Sequence, residues 1–358
     1  MSQTPIHDPS RADVSAYLSK RLATPVTVTS LRKTFPGISR ETWLVTASVL
    51  GAESGFVVRI DPPSGPSVPQ SLRHEWEVYS RLWRSPIPVA EPLWYDEAID
   101  FADGRPHMVR RLIDGATSPP DLLAQTDEGA RRRRAVVFEH MEKLAAVHTL
   151  DWKSYGFDTF IDAPAEPADA LAADFRYWKS LWTSFHVDPF PLTAEALAWL
   201  ESQLPTDTPR ISLVKGNNGI GEEIWKDDKI VAMSDWELAS LGDGVLDLAF
   251  SQGTLDLIDR REAIRYYEQC VGDKVSPERI AFASFWIPFK AMVCLNVYRL
   301  PPFFAGRDNR ISALSNGMLS VRWLESRLAP CIGRNIVDAW REQAGESASI
   351  YAELGTAR

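Results

Sequence analysis

The sequence predicts an α+β chain whose strands gather before about residue 112 and whose helices dominate after it. Three observations carry this. Runs of β-branched and aromatic residues recur at 26–31, 42–49, 56–60, 93–95 and 107–112. Apolar residues at helical spacing fill 130–150, 169–185, 254–270, 277–299 and 312–328. One stretch, 211–249, breaks both rhythms with short apolar runs, a Gly- and Asn-rich loop and a charged turn.

The 358 residues hold one large or two ordinary domains with real cores. A formal charge of −9 excludes a general nucleic-acid binder, which needs clustered Lys and Arg. The 3 cysteines, Cys270, Cys294 and Cys331, lack metal spacing and read as small buried hydrophobes in a reducing compartment. Residues 1–10 lack a signal-peptide pattern, and no apolar run is expected to approach the ~20 residues of a membrane span. The expectation is a cytoplasmic protein with no membrane and no nucleic-acid partner. Oligomeric state is not legible.

Taken in order, Ser10 caps a helix over 10–23 with Val14, Tyr17, Leu18 and Leu22 on its apolar face. Pro25 opens the first strand. Phe35-Pro36-Gly37-Ile38-Ser39-Arg40 forms a turn before the strand Thr42–Val49. Phe56–Ile60 is a buried strand carrying one cation, Arg59, and 71–82 is a helix with Glu75 and Glu77 in its middle. A proline-rich connector, 86–92, leads to strands 93–95 and 107–112, paired around the Asp103-Gly104 turn. The run Arg131–Arg134 is either a solvated helix face or a landing patch for an anionic substrate.

The central stretch begins with the apolar run Ile211–Val214 and the loop Lys215-Gly216-Asn217-Asn218-Gly219-Ile220-Gly221. A short strand, 222–225, a charged turn, 226–229, and a second buried run, 230–233, follow. Asp235 then sits where that strand stops, next to the polar loop. One carboxylate beside such a loop suits a cation and phosphate site.

This stretch resembles the core of the aminoglycoside phosphotransferase and choline kinase-like family, which has the protein-kinase-like fold. The family loop reads His-Gly-Asp-x-x-x-x-Asn and its metal motif Asp-Trp/Phe-Glu. Asp235-Trp236-Glu237 and Gly242-Asp243…Asp247-Leu248-Ala249 match closely. The run Asp-Trp-Glu-Leu-Ala-Ser-Leu-Gly-Asp and the Arg59 strand look most like the branch associated with acyl-CoA dehydrogenases. The resemblance implies two lobes: a β-rich N-lobe, 1–112, and a mainly helical C-lobe, 113–358, containing the catalytic loop 211–225 and the metal motif 234–249. Residues 113–115 resemble the inter-lobe hinge that meets the adenine.

The resemblance also implies roles. The turn with Gly37 and Ser39 lies where such folds cover the nucleotide phosphates. Arg59, paired with Glu75, stands where a strand cation holds the α- and β-phosphates. Arg110 joins them on the nucleotide side. Asp235 is the metal carboxylate, and Glu222 falls where the family has its metal-binding Asn. The cofactors implied are ATP (or GTP) and Mg²⁺, and the partner is a small hydroxylated molecule.

The catalytic loop departs from the pattern. Lys215 stands for the family's His and Asn217 for the catalytic Asp. An amide cannot take a proton, and a positioned base contributes roughly 10²–10⁴ in rate. Three readings stay open: a phosphotransferase with Lys215, Asn217 and Glu222 as a rewired catalytic set and Glu222 or Glu223 as relocated base; a pseudokinase-type nucleotide-binding protein; or a kinase-like fold that binds no nucleotide.

Overall fold

The first helix forms where the sequence supplies both its cap and its apolar face. In α1 (Arg11–Leu22) the Ser10 hydroxyl accepts from the Asp13 amide while the Asp13 carboxylate accepts from the Ser10 amide, a reciprocal capping box. Val14, Tyr17 and Leu18 face the sheet. This computed structural model describes residues 8–34, 39–97, 101–119, 122–184, 190–308 and 310–345.

The N-terminal part holds β1 (Val26–Lys33), β2 (Glu41–Val49), β3 (Ala52–Ile60), α2 (Leu72–Leu82), β4 (Pro92–Asp96) and β5 (His107–Arg111). The strands form one antiparallel sheet in the order β1-β2-β3-β5-β4. Phe56, Val58 and Ile60 of β3 join Trp43, Val45 and Ala47 of β2 in a small core under α1. The two-residue strand period then turns Arg59 to the opposite face.

The C-terminal part contains α3 (Asp127–His148), α4 (Ala170–Ser184), α5 (Pro191–Ser202), β6 (Ser212–Val214), β7 (Glu223–Lys226), β8 (Lys229–Met233) and β9 (Ser240–Gly242). The helices α6 (Val245–Phe250), α7 (Gln252–Leu255), α8 (Arg260–Val271), α9 (Pro277–Asn296), α10 (Leu300–Phe304) and α11 (Ile311–Leu328) follow. The β7–β8 hairpin turns on Asp227 and Asp228, both at positive φ (50° and 58°), which suits the right-handed twist of the strands. Ala116 bonds Trp225 in both directions, at 2.9 and 2.7 Å, tying the segment after β5 to this hairpin.

The larger apolar cluster belongs to the helical part but reaches across the molecule. Leu72, Val78, Tyr79 and Leu82 of α2 and Met108 of β5 are members of it. The segment Pro277–Phe304 is by length and composition apolar enough to cross a membrane, contrary to the expectation of no such stretch; its most apolar window is 67% buried inside the fold, as in a core helix.

One expectation is corrected here, that all three cysteines are buried. The Arg131–Arg134 run fits the solvated-face reading, its members pairing locally: Arg131 with Glu128 at 2.6 Å, Arg132 with Asp228 at 3.2 Å and Arg134 with Glu262 at 2.6 Å. Arg133 donates to the carbonyls of Leu122 and Ala124. Cys294 and Cys331 are buried, but Cys270 is exposed.

Candidate active site

The loop after β6 is shaped from behind by a buried carboxylate. Asp247, at the start of α6, accepts from the amides of Lys215 (2.7 Å) and Gly216 (2.8 Å). His148 Nε2 donates to the same carboxylate at 2.9 Å, and its Nδ1 accepts from the Tyr267 hydroxyl at 2.7 Å. Burial raises the Asp247 carboxyl, but His148 and the two loop amides outweigh it and hold it below the usual range. Gly216 lies at φ 84°, where a Cβ would come within 2.4 Å of the Leu238 carbonyl oxygen. Only glycine fits there. A neighbouring acid of the same motif, Asp243, accepts from Thr208 and Arg279, both at 2.7 Å. Both aspartates of the Gly-Asp…Asp run are therefore structural anchors.

In front of the loop lies a cleft of about 450 Å³ between the two parts of the chain. The N-terminal part contributes Ser39, Arg40, Thr42, Arg59 and Arg110; the loop and the segment after β8 contribute Gly216, Asn217, Glu222, Asp235 and Glu237. A wall of α9 completes it, with Ile287, Lys290, Ala291, Cys294 and Leu295 at the i, i+3, i+4, i+7, i+8 spacing of one helical face. A larger groove, about 920 Å³, runs beside the start of α8. Four of its charged residues pair with one another, Arg260 with Asp256 and Arg261 with Asp259. The residues singled out in the sequence line the smaller cleft.

Arg59 is the centre of the charge network. Its Nε lies 3.1 Å from Glu75 Oε2, and its Nη2 donates to Asp235 Oδ1 at 2.8 Å and Glu237 Oε2 at 2.6 Å. Arg40 is fully enclosed, bonded through Nε to Asp61, through Nη1 to Glu237 and through Nη2 to the Gln70 carbonyl, each at 2.7 Å. Asn217 donates its amide to Asp235 Oδ2, so both oxygens of Asp235 have protein partners. Asp235 itself sits at φ 62°, a conformation in which aspartate is enriched.

Electrostatics separate the acids. Burial pushes Glu75 up to about 7 against the pull of Arg59 and Arg40. Burial, then the charge of Asp235, pushes Glu222 up to about 7. Burial acts on Asp235 too, but Arg59, Lys215 and the bonds from Arg59 and Asn217 outweigh it and keep its carboxyl low. Asp235 is therefore a carboxylate, and Glu222 titrates near neutrality.

The structure thus brings Ser39, Arg59, Arg110, Asn217, Glu222 and Asp235 into one cleft, with Glu75 behind Arg59. Gly37 lies outside the described residues. Arg110 lies against Tyr79, its guanidinium 4.9 Å from the ring centroid, and donates to the Tyr79 hydroxyl. Two candidates are displaced. Lys215 is fully buried, its ammonium on the Asn217 carbonyl and 5.6 Å from the Trp236 ring centroid, so it reaches the cleft only through its charge. Glu223 is not a relocated base. It is buried and bonded to His140 Nδ1, whose Nε2 accepts from Ser251 at 2.9 Å.

Sequence reasoning missed Arg40, Glu237 and Lys290. Arg40 and Glu237 had a signal, a charge at the last position of a recognised turn and of a recognised metal motif, to which no role was given. Lys290 had another, a lone cation within an apolar helix; it pairs with Asp174 at 2.9 Å.

Residues 33–272 match the model of the "Phosphotransferase enzyme family". Sequence relatives include acyl-CoA dehydrogenase family member 11 of Gallus gallus, 25% identical over 193 residues, 53% of this chain and 24% of that protein. Member 10 of Mus musculus is 24% identical over 195 residues, 53% of this chain and 17% of that protein. The chain spans about a quarter or less of the length of these curated relatives. Among solved structures, a protein provisionally assigned as an aminoglycoside phosphotransferase from Ralstonia eutropha JMP134 superposes with TM-score 0.65 at 18% identity, covering 93% of this chain and 98% of that one. A thermostable mutant of aminoglycoside phosphotransferase APH(4)-Ia, in ternary complex with ADP and hygromycin B, gives TM-score 0.58 at 17% identity, covering 91% and 98%. Macrolide 2'-phosphotransferase MphH from Brachybacterium faecium gives 0.54 at 17%, covering 86% and 98%.

Proposed function

The chain belongs to the phosphotransferase enzyme family and has its kinase-like fold, and from that premise we propose that it transfers the terminal phosphoryl group of ATP (or GTP) to a hydroxyl of a small molecule. The observation that carries this is the convergence of Arg59, Asn217, Glu222 and Asp235, from both parts of the chain, on one cleft.

Mg²⁺ fits these residues. Among the described residues no set of three or more His, Cys, Asp or Glu forms a metal cage, but Mg²⁺ is ordinarily held by one or two carboxylates plus substrate phosphates. Asp235 would hold it, and the ion would neutralise charge on the transferring phosphoryl group. Arg59, fixed by Glu75, positions the phosphates as a guanidinium fork. In the transfer, the acceptor oxygen forms a bond to the γ-phosphorus as the bond to the bridging oxygen breaks. The acceptor's proton goes to Glu222. Among the described residues no side chain hydrogen-bonds the Glu222 carboxylate, and a group titrating near 7 is suited to a general base. Asn217 orients rather than accepts, its NH₂ given to Asp235. The site is proposed to work in the cytoplasm.

The wall of α9 favours an acceptor with an apolar body. Hygromycin B, the small molecule held by APH(4)-Ia, is a property of that protein alone.

A second reading is favoured by Asn217 itself: a protein that binds nucleotide and transfers nothing. Calorimetric titration of ATP with and without Mg²⁺, on the wild type and Asp235→Ala, tests the shared premise. Binding that needs both Mg²⁺ and Asp235 supports the site, and ADP release with any hydroxylated acceptor then selects the enzyme. Silence in both proteins would mean that the fold serves another ligand. Mg²⁺ affinity that survives Glu222→Gln assigns Glu222 to the proton rather than to the metal.

A further inference from the structure

We propose that Glu237 is the protein's own stand-in for a phosphate, seated on Arg59 and Arg40 until a polyphosphate and a divalent cation displace it together. The inference rests on the reading of the cleft as a nucleotide site.

A single oxygen, Glu237 Oε2, collects Arg59 Nη2 at 2.6 Å, Arg40 Nη1 at 2.7 Å and the Ser39 hydroxyl at 2.7 Å. Two guanidinium donors and a hydroxyl are what a phosphate oxygen takes. All three donors come from the N-terminal part, while Glu237 follows β8 in the C-terminal part. The contact therefore joins the two parts of the chain with protein charge alone.

Arg59 cannot serve another anion in this arrangement. Three carboxylates surround it, Glu75 at 3.1 Å, Asp235 at 2.8 Å and Glu237 at 2.6 Å. An entering phosphate meets their summed negative charge in a largely enclosed setting, where repulsion is poorly screened. Glu75 is buried behind Arg59, and Asp235 is held a second time by Asn217. Glu237 lines the cleft, and its three partners would all be satisfied by a phosphate oxygen in its place. A divalent cation beside Asp235 offsets the charge that Glu237 carries as it withdraws. The residue thus makes polyphosphate binding depend on metal, and excludes free anions from Arg59.

The test is calorimetric titration of inorganic tripolyphosphate into the full chain at pH 8, in EDTA and in excess Mg²⁺. Glu237→Gln removes the charge and should bind tripolyphosphate in EDTA on the order of tenfold more tightly than the wild type. With Mg²⁺ the two proteins should converge. Glu237→Asp, one methylene shorter, keeps the charge but retreats from Arg59. It should bind more tightly than the wild type by a smaller factor, and it carries the test alone if the glutamine variant does not fold. Equal or weaker binding by the folded variants in EDTA overturns the proposal and leaves the nucleotide site standing. Absence of binding in every protein, with and without Mg²⁺, instead removes the nucleotide reading on which it rests.

Discussion

Asn217 decides how any transfer in this cleft must run. Its amide has no site for a proton, and its donor is committed to Asp235. In the proposed reaction the proton goes to Glu222, the acid on the cleft wall that titrates near neutrality. The rate in the wild type should therefore rise with pH through about 7, and the step should vanish in Glu222→Gln. That variant should also lose roughly 10²–10⁴ in rate, the ordinary contribution of a general base. Adding Asn217→Asp, which restores a carboxylate to the loop, should recover at least about tenfold of the loss, read as ADP release under saturating MgATP. A double variant as slow as the single one would show that Glu222 acts otherwise. Stability gives an independent reading. The folded state holds the Glu222 proton more tightly than the unfolded chain, so its contribution is complete below the 4.5 of an ordinary glutamate and lost as pH rises through about 7. Glu222→Gln should accordingly melt higher than the wild type at pH 8 and level with it at pH 4, by calorimetry at both pH values.

At the scale of elements, the loop between β6 and β7 depends on one backbone conformation and one carboxylate behind it. Gly216→Ala forces a side chain into positive φ and against the Leu238 carbonyl. It should cost about 2 kcal/mol or more, seen as a lower urea midpoint, and should weaken MgATP binding because Asn217 follows directly. Asp235 at a strand end beside the loop was legible, since an apolar run stopping at a carboxylate is a local signal. The phase of the strand was not. Glu222 and Glu223 are chemically alike, and only pairing with β8 and the bond to His140 show that Glu223 points inward. β9, three residues long, is below any periodicity. It exists because β6 lies beside it, a contact that composition does not record. Lys215 looked like a charge for the cleft because burial of a lysine beneath a loop depends on Trp236 and the Asn217 carbonyl coming to it from the fold. Asp243 and Asp247 stood out as motif residues, but their anchoring work needs Arg279 and His148, which are distant in sequence.

For the molecule as a whole, the division at residue 112 describes the backbone better than the core. α2 lies in the first part of the chain, yet Leu72, Val78, Tyr79 and Leu82 are buried in the apolar cluster of the second. The cleft adds ion pairs across the same boundary, from Arg40 and Arg59 to Asp235 and Glu237. Nearly all charge on these groups is out of water, so loss of one side would leave the other unpaired and costly. Both features should couple the parts thermodynamically. Leu82, with no exposed surface, reports on that coupling. Leu82→Ala should cost about 2–5 kcal/mol through lost burial and the cavity left behind. If the cores are one, the loss should lower the unfolding of the whole chain. Far-UV circular dichroism, dominated by the helices after residue 112, should then shift to the same denaturant midpoint as the fluorescence of a probe placed on the N-terminal sheet. If only the sheet probe moves while the helical signal keeps its wild-type midpoint, α2 belongs energetically to the N-terminal part, and the shared core is a contact without cooperative weight.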